Sequence, residues 1–173
     1  MAETVRTLER DPEAWPEGHP PAVWQRIERY CAHRWTPREV IWLVQGDGEW
    51  MPPLAPAVIT KVESWDGAWR ETVLDATPFG RLPLWGDSHR VTAIVGADNP
   101  PPAAVLEAVR RLALYVAENE AEGSFFDMPR SATSYDANLD GLSKSMGRPE
   151  GWLARALQNS GAADLLRPYR RAY

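Results

Sequence analysis

Residues 98–123 read DNPPPAAVLEAVRRLALYVAENEAEG, the strongest helix pattern in the chain. Asp98 or Asn99 suits the N-cap, and the prolines suit the first turn, where a backbone N–H needs no partner. Gly123 suits the end of the helix. The pattern predicts a helix over about 101–122 that would span a small domain, so we expect the rest of the chain to pack around it. Its apolar residues recur at the spacing of one helix face: Val105, Leu106, Val109, Leu112, Ala113 and Val116.

The flanking sequence predicts the remaining elements. A second helix is expected over 21–34, where apolar residues again recur at helical spacing. Between the two helices lie short β-branched and aromatic runs, such as EVIWLV (39–44) and RVTAIV (90–95). These runs predict a small antiparallel sheet of about four or five strands. We therefore expect an α+β fold, mainly α: a helical bundle around the long helix, with a small antiparallel β insertion at about 39–95 and an extended C-terminal tail.

The chain has 173 residues, enough for one domain with a buried core. We expect a single domain over 1–161, with an extended N-terminal arm at 1–20 and a long polar loop at 124–149. A C-terminal tail follows at 162–173. Because the sequence contains no run of about 18 apolar residues and no apolar signal region at its start, we predict neither a membrane span nor a secretory signal.

The sequence shows no pattern of catalytic chemistry. His19, His33 and His89 lack the spacing of metal ligands, and the glycine motifs of phosphate loops and of nucleophile elbows are absent. The single cysteine, Cys31, lies on the apolar face of a predicted helix, where we expect a small buried hydrophobe. We therefore expect no enzyme, no catalytic residue, no metal and no cofactor. The net charge of −5 argues against a protein that holds nucleic acid through its phosphates.

Nine tryptophans favour a core or an interface built on large rings. Trp42 is expected in the core. The residues Trp65, Asp66, Gly67 and Trp69 include a hairpin turn signal, and a hairpin tip is often exposed. We predict that these four residues contact other subunits or a neighbouring ring of an assembly. In the alternative hypothesis, Trp65, Trp69 and Trp85 form the sugar-binding face of a small carbohydrate-binding module.

The C-terminal tail combines apolar, aromatic and basic residues. Apolar and aromatic side chains can anchor a terminal peptide in a partner, and arginine can add hydrogen-bonded pairing. A solvated, frayed end is the alternative, and the residues themselves do not decide between the two. The candidate partner-binding residues are Leu165, Leu166, Arg167, Pro168, Tyr169, Arg170, Arg171 and Tyr173.

Five segments, in this order, are similar to a known family: IERYCAHR (27–34), WMPPLAPAV (50–58), WDG (65–67), Gly96 with PPAAV (101–105), and ADLLRPYRR (163–171). Together they resemble the head–tail connector, or adaptor, proteins of tailed double-stranded DNA phages and of gene transfer agents. The LLRPYR ending is the most specific part. The chain departs from the family at 1–20, where the family opens with a helix, and at 124–149, where the loop is longer.

The resemblance implies an assembly role without catalysis. Such proteins form rings of about twelve copies that dock beneath the portal protein and extend the DNA channel. They also present a platform to the next connector or tail-terminator protein, and double-stranded DNA passes through without specific binding. The tail residues 165–173 would then bind the portal. The expected location is the neck of a phage or gene-transfer-agent particle, with host cytoplasm as the site of assembly and no membrane partner.

Overall fold

The computed structural model describes residues 1–97, 99–120, 134–139, 142–147 and 151–171. By its internal contacts the chain divides into two compact units, which are described one at a time. Unit 1 comprises Met1–Glu17, Glu28–Pro100 and Tyr169–Tyr173, and unit 2 comprises Gly18–Ile27 and Pro101–Pro168. The described elements are, in chain order, β1 (Glu3–Glu9), α1 (Pro21–Cys31), β2 (Arg38–Gln45), β3 (Gly48–Trp50), β4 (Ala57–Trp65), β5 (Trp69–Glu71), β6 (Leu82–Leu84), β7 (Ser88–Val95), α2 (Ala103–Glu120), β8 (Ser134–Leu139), β9 (Leu142–Gly147), α3 (Ala156–Asn159), α4 (Ala162–Leu166) and a 3-10 turn (Arg167–Tyr169).

Unit 1 is built on a five-stranded antiparallel sheet with the strand order β1-β2-β7-β4-β5. Burial alternates along β2 and β7, as expected for a sheet with one packed face. The packed face meets the two-stranded ribbon β3–β6 in one apolar cluster. At its centre the rings of Trp42 and Trp50 lie edge to face with centroids 5.5 Å apart. The expectation that Trp42 is a core residue is confirmed, since it is fully buried.

Unit 2 contains the long helix α2, the short helices α3 and α4, and the hairpin β8–β9. Both short helices pack against α2. Helix α2 buries one narrow face, and α4 buries its own apolar residues Ala162 and Leu166. The first part of α1 belongs to this unit and the rest to unit 1. The buried residues of α2 are Val105, Ala108, Val109 and Leu112.

The predicted fold class is wrong. We expected a mainly helical bundle with a small β insertion, whereas the described residues form a β-rich fold that is dominated by the five-stranded sheet. The long helix exists, since α2 runs from Ala103 to Glu120, but α3 and α4, which pack against it, are only four and five residues long. A helix that buries a single narrow face against such short partners is not the centre of a bundle.

The structure also corrects the predictions for the N-terminal and C-terminal segments. Residues 3–9 are an edge strand of the sheet and not an extended arm, because they pair with β2 along its length. The tail is not extended at its start, since 162–169 form a helix and a 3-10 turn. Within the predicted loop 124–149, β8 and β9 form a hairpin; the other residues of that range, and the predicted cap Asp98, lie outside the described residues.

The domain boundaries proposed from the sequence, 1–161 and 162–173, stay a prediction. By the internal contacts of the chain, residues 162–168 belong to unit 2 and residues 169–173 belong to unit 1. Among the helices that the structure describes, none has the length and apolar content that crossing a membrane requires.

A substitution at Gly96, which directly follows β7, tests the packing of unit 1. Its φ is +89°, and a Cβ there would overlap the carbonyl oxygen of Thr36. We expect Gly96→Ala to lower the free energy of unfolding by about 2–4 kcal/mol, because backbone strain and overlap add. The control is Gly67→Ala, since Gly67 has a similar φ of +70° but open space around it. Urea denaturation measures both, and equal losses would contradict this account of Gly96.

Candidate partner-binding surfaces

A buried ion network builds the region around the end of α1. The carboxylate of Glu28 accepts hydrogen bonds from the guanidinium of Arg38 at 2.7 and 2.9 Å and from the backbone N–H of Trp35 at 2.9 Å. The guanidinium of Arg34 donates to the backbone carbonyl of Glu28 at 2.9 Å and to the carboxylate of Glu9 at 2.5 and 2.8 Å. The network thus joins β1, the end of α1 and the start of β2 within unit 1.

The two acids of this network titrate differently. Burial raises the pKa of Glu28, against the opposing pull of Arg38 and Arg34. For Glu9, partial burial also acts to raise the pKa, but the hydrogen bonds and charges of Arg34 and Arg38 outweigh it, and the pKa is lowered. Glu28 therefore depends on its hydrogen bonds to remain charged in the interior.

Backbone hydrogen bonds join the residues just after α1 to Ala55. The backbone N–H of Arg34 donates to the carbonyl of Ala55 at 2.7 Å, and the N–H of Ala55 donates to the carbonyl of Ala32 at 3.2 Å. The ring of His33 stacks on Trp35 with centroids 4.7 Å apart. Burial lowers the pKa of His33, and the charges of Arg171 and Arg34 lower it further. Cys31 is fully buried, as expected, and burial raises the pKa of its thiol to about 11, which disfavours the thiolate at neutral pH.

The C-terminal candidates divide into two groups. Leu166 is buried in unit 2, where it contributes to the packing of α4, and Leu165 is half-buried. Arg167, Pro168 and Arg170 are exposed. Tyr169 and Arg171 are half-buried in unit 1, and Tyr173 lies outside the described residues.

Residues 169–171 lie on a surface of unit 1 that we name the tail-binding surface and define as Tyr30, Cys31, Trp35 and Pro52. The ring of Tyr169 meets Trp35 edge to face at 6.4 Å, and the guanidinium of Arg170 lies 5.2 Å from the ring centre of Tyr30. Arg171 donates its backbone N–H to the carbonyl of Cys31 at 3.2 Å and its guanidinium to the carbonyl of Pro52 at 2.9 Å. None of these four surface residues was predicted as part of a site. Their local sequence gives no sign that the C-terminal segment of the same chain contacts them.

The second candidate surface lies at one end of the sheet in unit 1. The predicted residues Trp65, Asp66, Gly67 and Trp69 come together at the tip of the β4–β5 hairpin, where the two indole rings lie edge to face at 5.2 Å. Trp65 is 51% exposed, which confirms that the hairpin tip is exposed. A groove of about 500 Å³ opens beside them. Its lining includes Val5, Leu43, Gln45, Trp65, Trp69 and Ser88.

A charged cluster supports this groove from the same face of the sheet. The carboxylate of Glu63 accepts hydrogen bonds from Arg90 at 2.6 and 2.8 Å and from Lys61 at 2.8 Å. The guanidinium of Arg90 in turn lies 4.7 Å from the ring centre of Trp69. One face of Trp69 is therefore covered by Arg90.

No group of three or more His, Cys, Asp or Glu side chains that could hold a metal occurs in the part of the chain that the structure describes. No protein-family model matches the chain, and no curated protein matches it. The resemblance to head–tail connectors therefore stays a prediction that rests on the order of the motifs in the sequence.

The buried network predicts a large effect of removing one charge. We expect Glu28→Gln to lower the free energy of unfolding by about 3–5 kcal/mol, because Arg38 would keep its buried charge with a partner lost. The control is Glu107→Gln, which removes a carboxylate from an exposed pair with Arg110 and Arg111 and should leave stability nearly unchanged. Denaturant titration at pH 7 measures both. Similar losses of unfolding free energy in the two variants would contradict the stabilising role of the buried network.

The interactions of Glu63 predict how the stability of the protein changes in acid. Hydrogen bonds from Arg90 and Lys61 lower its pKa to about 2 from the ordinary 4.5. Because the folded-state pKa is the lower one, the stability that Glu63 contributes is present above pH 4.5 and is lost as the pH falls toward 2. We expect Glu63→Gln to lose less stability than the unmodified protein over this range. Glu49→Gln, which removes a carboxylate from an exposed pair with Arg81, is the control for lost charge. Parallel pH curves for Glu63→Gln and the unmodified protein would refute the assignment.

Proposed function

We propose that this protein is a structural virion protein, a head–tail adaptor that forms a ring beneath the portal, extends the DNA channel and connects the capsid to the tail. The observation that carries the proposal is the C-terminal segment, which is also the most specific part of the sequence resemblance. In the structure this segment presents Arg167, Pro168 and Arg170 at the surface. Arginines beside aromatic and apolar anchors are the side chains that dominate protein interfaces.

Exposed aromatic residues support an assembly role for unit 1. Trp65 is 51% exposed, Phe79 84% and Trp85 71%. By the strand register, Gln45, Ser88 and Trp65 occupy the same end of the sheet, and Trp85 lies just before Ser88. The exposed rings of Trp65 and Trp85 at this end of the sheet are apolar side chains of the kind that contribute to contacts between proteins. We assign the hairpin residues Trp65, Asp66, Gly67 and Trp69 to contacts between subunits or with the next ring.

The charge of the chain fits a channel that DNA crosses. With a net charge of −5, the protein lacks the excess of basic residues that binds phosphates tightly. The proposal accordingly includes passage of double-stranded DNA without specific binding, no enzymatic activity and no cofactor. The partners are other copies of the chain, the portal, and the next connector or tail-terminator protein, all in the particle neck.

The alternative is a carbohydrate-binding module, in which Trp65, Trp69 and Trp85 would stack on sugar rings. Because Arg90 covers one face of Trp69, a sugar would have to stack on its other face. Failure of a broad panel of oligosaccharides to quench tryptophan fluorescence would count against this alternative.

Arg167 tests the docking role of the C-terminal segment. We expect Arg167→Glu to weaken capture by the portal protein of the same genome by about tenfold or more, since a charge-assisted contact becomes a repulsion. Arg155→Glu is the matched control, because Arg155 is an exposed arginine elsewhere in unit 2. Biolayer interferometry with immobilised portal measures both affinities. Equal capture of the two variants would rule out a docking role for Arg167.

A further inference from the structure

The tail-binding surface holds three consecutive residues by contacts of different kinds. Tyr169 supplies an aromatic edge to Trp35, Arg170 a cation to the ring of Tyr30, and Arg171 two hydrogen bonds to backbone carbonyls. Each residue of the segment therefore has its own complementary group. The surface is thus complementary to a segment that combines an aromatic residue with two arginines.

The surface owes its shape to contacts that do not involve the tail. The backbone of Trp35 is held by the carboxylate of Glu28. The stretch that carries Pro52 is tied to the end of α1 by the hydrogen bonds of Ala55 with Ala32 and Arg34. Trp35 is 7% exposed with the tail in place and also stacks on His33. The surface would therefore persist if residues 169–171 moved away, as a site that is formed before its ligand arrives.

The tail lies close to solvent: Arg170 is exposed, and Tyr169 and Arg171 are half-buried. Elements with few buried apolar contacts open locally at a small cost compared with global unfolding. The segment can thus leave the surface while the sheet of unit 1 stays folded.

We propose that the tail-binding surface is a docking site for an aromatic–basic peptide segment, and that the chain's own residues 169–171 occupy it as a releasable latch. The occupant is the C-terminal segment of this chain. The consequence for assembly rests on the proposed function: residues that are to bind the portal must first leave this surface. Docking on the portal then competes with the latch, so the free protein keeps part of its docking segment folded back on itself.

The test uses the full-length protein without portal. Hydrogen exchange by mass spectrometry reports on the C-terminal peptide, where the backbone N–H of Arg171 is bonded to the carbonyl of Cys31. We expect Arg171→Ala to speed exchange of this segment by about tenfold, with exchange in β2 and β7 unchanged. Arg167→Ala is the matched control, because it changes an exposed arginine of the same segment that lies outside the surface. Equal exchange in Arg171→Ala and the unmodified protein would overturn the latch.

A competing peptide tests the docking site directly. A synthetic peptide of residues 165–173, LLRPYRRAY, should displace the tail in cis and speed its exchange when it is added above the effective concentration of the tethered tail, on the order of millimolar. The control peptide replaces Tyr169 and Arg171 by alanine and should have no effect. If both peptides act alike, or neither does, the surface does not recognise this segment. Because no portal is present, these experiments test the latch and not the adaptor function. If the latch opens as expected but the protein has no affinity for the portal, only the proposed function is refuted.

Discussion

The structure of unit 1 depends on one buried carboxylate. Glu28 is 1% exposed, and its charge is held by Arg38 and by the backbone N–H of Trp35. Through these bonds the end of α1 is fixed to the start of β2, and Arg34 extends the connection to Glu9 on the edge strand β1. A buried charge with these partners tolerates little displacement, because losing one partner leaves another charge without compensation. The position of Trp35, and with it the tail-binding surface, follows from this constraint.

The edges of the sheet are poorly suited to pairing with a further strand. β1 is an edge strand with a break in register between Thr4 and Arg6, and β4 has one between Ile59 and Lys61. At the other edge, β5 is only three residues long and contains Arg70 and Glu71. Bulges, charges and short strands are devices that prevent edge-to-edge pairing. A ring of this protein would accordingly be joined by side chains, such as those of the exposed aromatic residues, and not by a continuous sheet.

The sequence predicted local elements far better than their arrangement. The apolar and β-branched runs at 39–44 and 90–95 indicated β2 and β7, and the 3.6-residue spacing after Pro102 indicated α2, because both patterns are local. The strand at 3–9 was missed, since ETVRTLE has few apolar residues and is held by backbone pairing and by Glu9. The fold class was wrong because periodicity shows that α2 buries a face, not what covers it. The hairpin tip at Trp65 was predicted from its turn signal, whereas the contacts of Tyr169 and Arg171 join distant parts of the chain and leave no local signal.

We propose that the chain assembles as an adaptor with a portal. The measurement that tests it most directly is the native mass of the purified protein, alone and mixed with its candidate portal, followed by negative-stain imaging of the mixture. The account predicts a closed ring of about a dozen copies, formed by the protein itself or only on the portal. A stable monomer with no affinity for the portal would contradict the account and would return the groove at Trp65 and Trp69 to consideration as a ligand site.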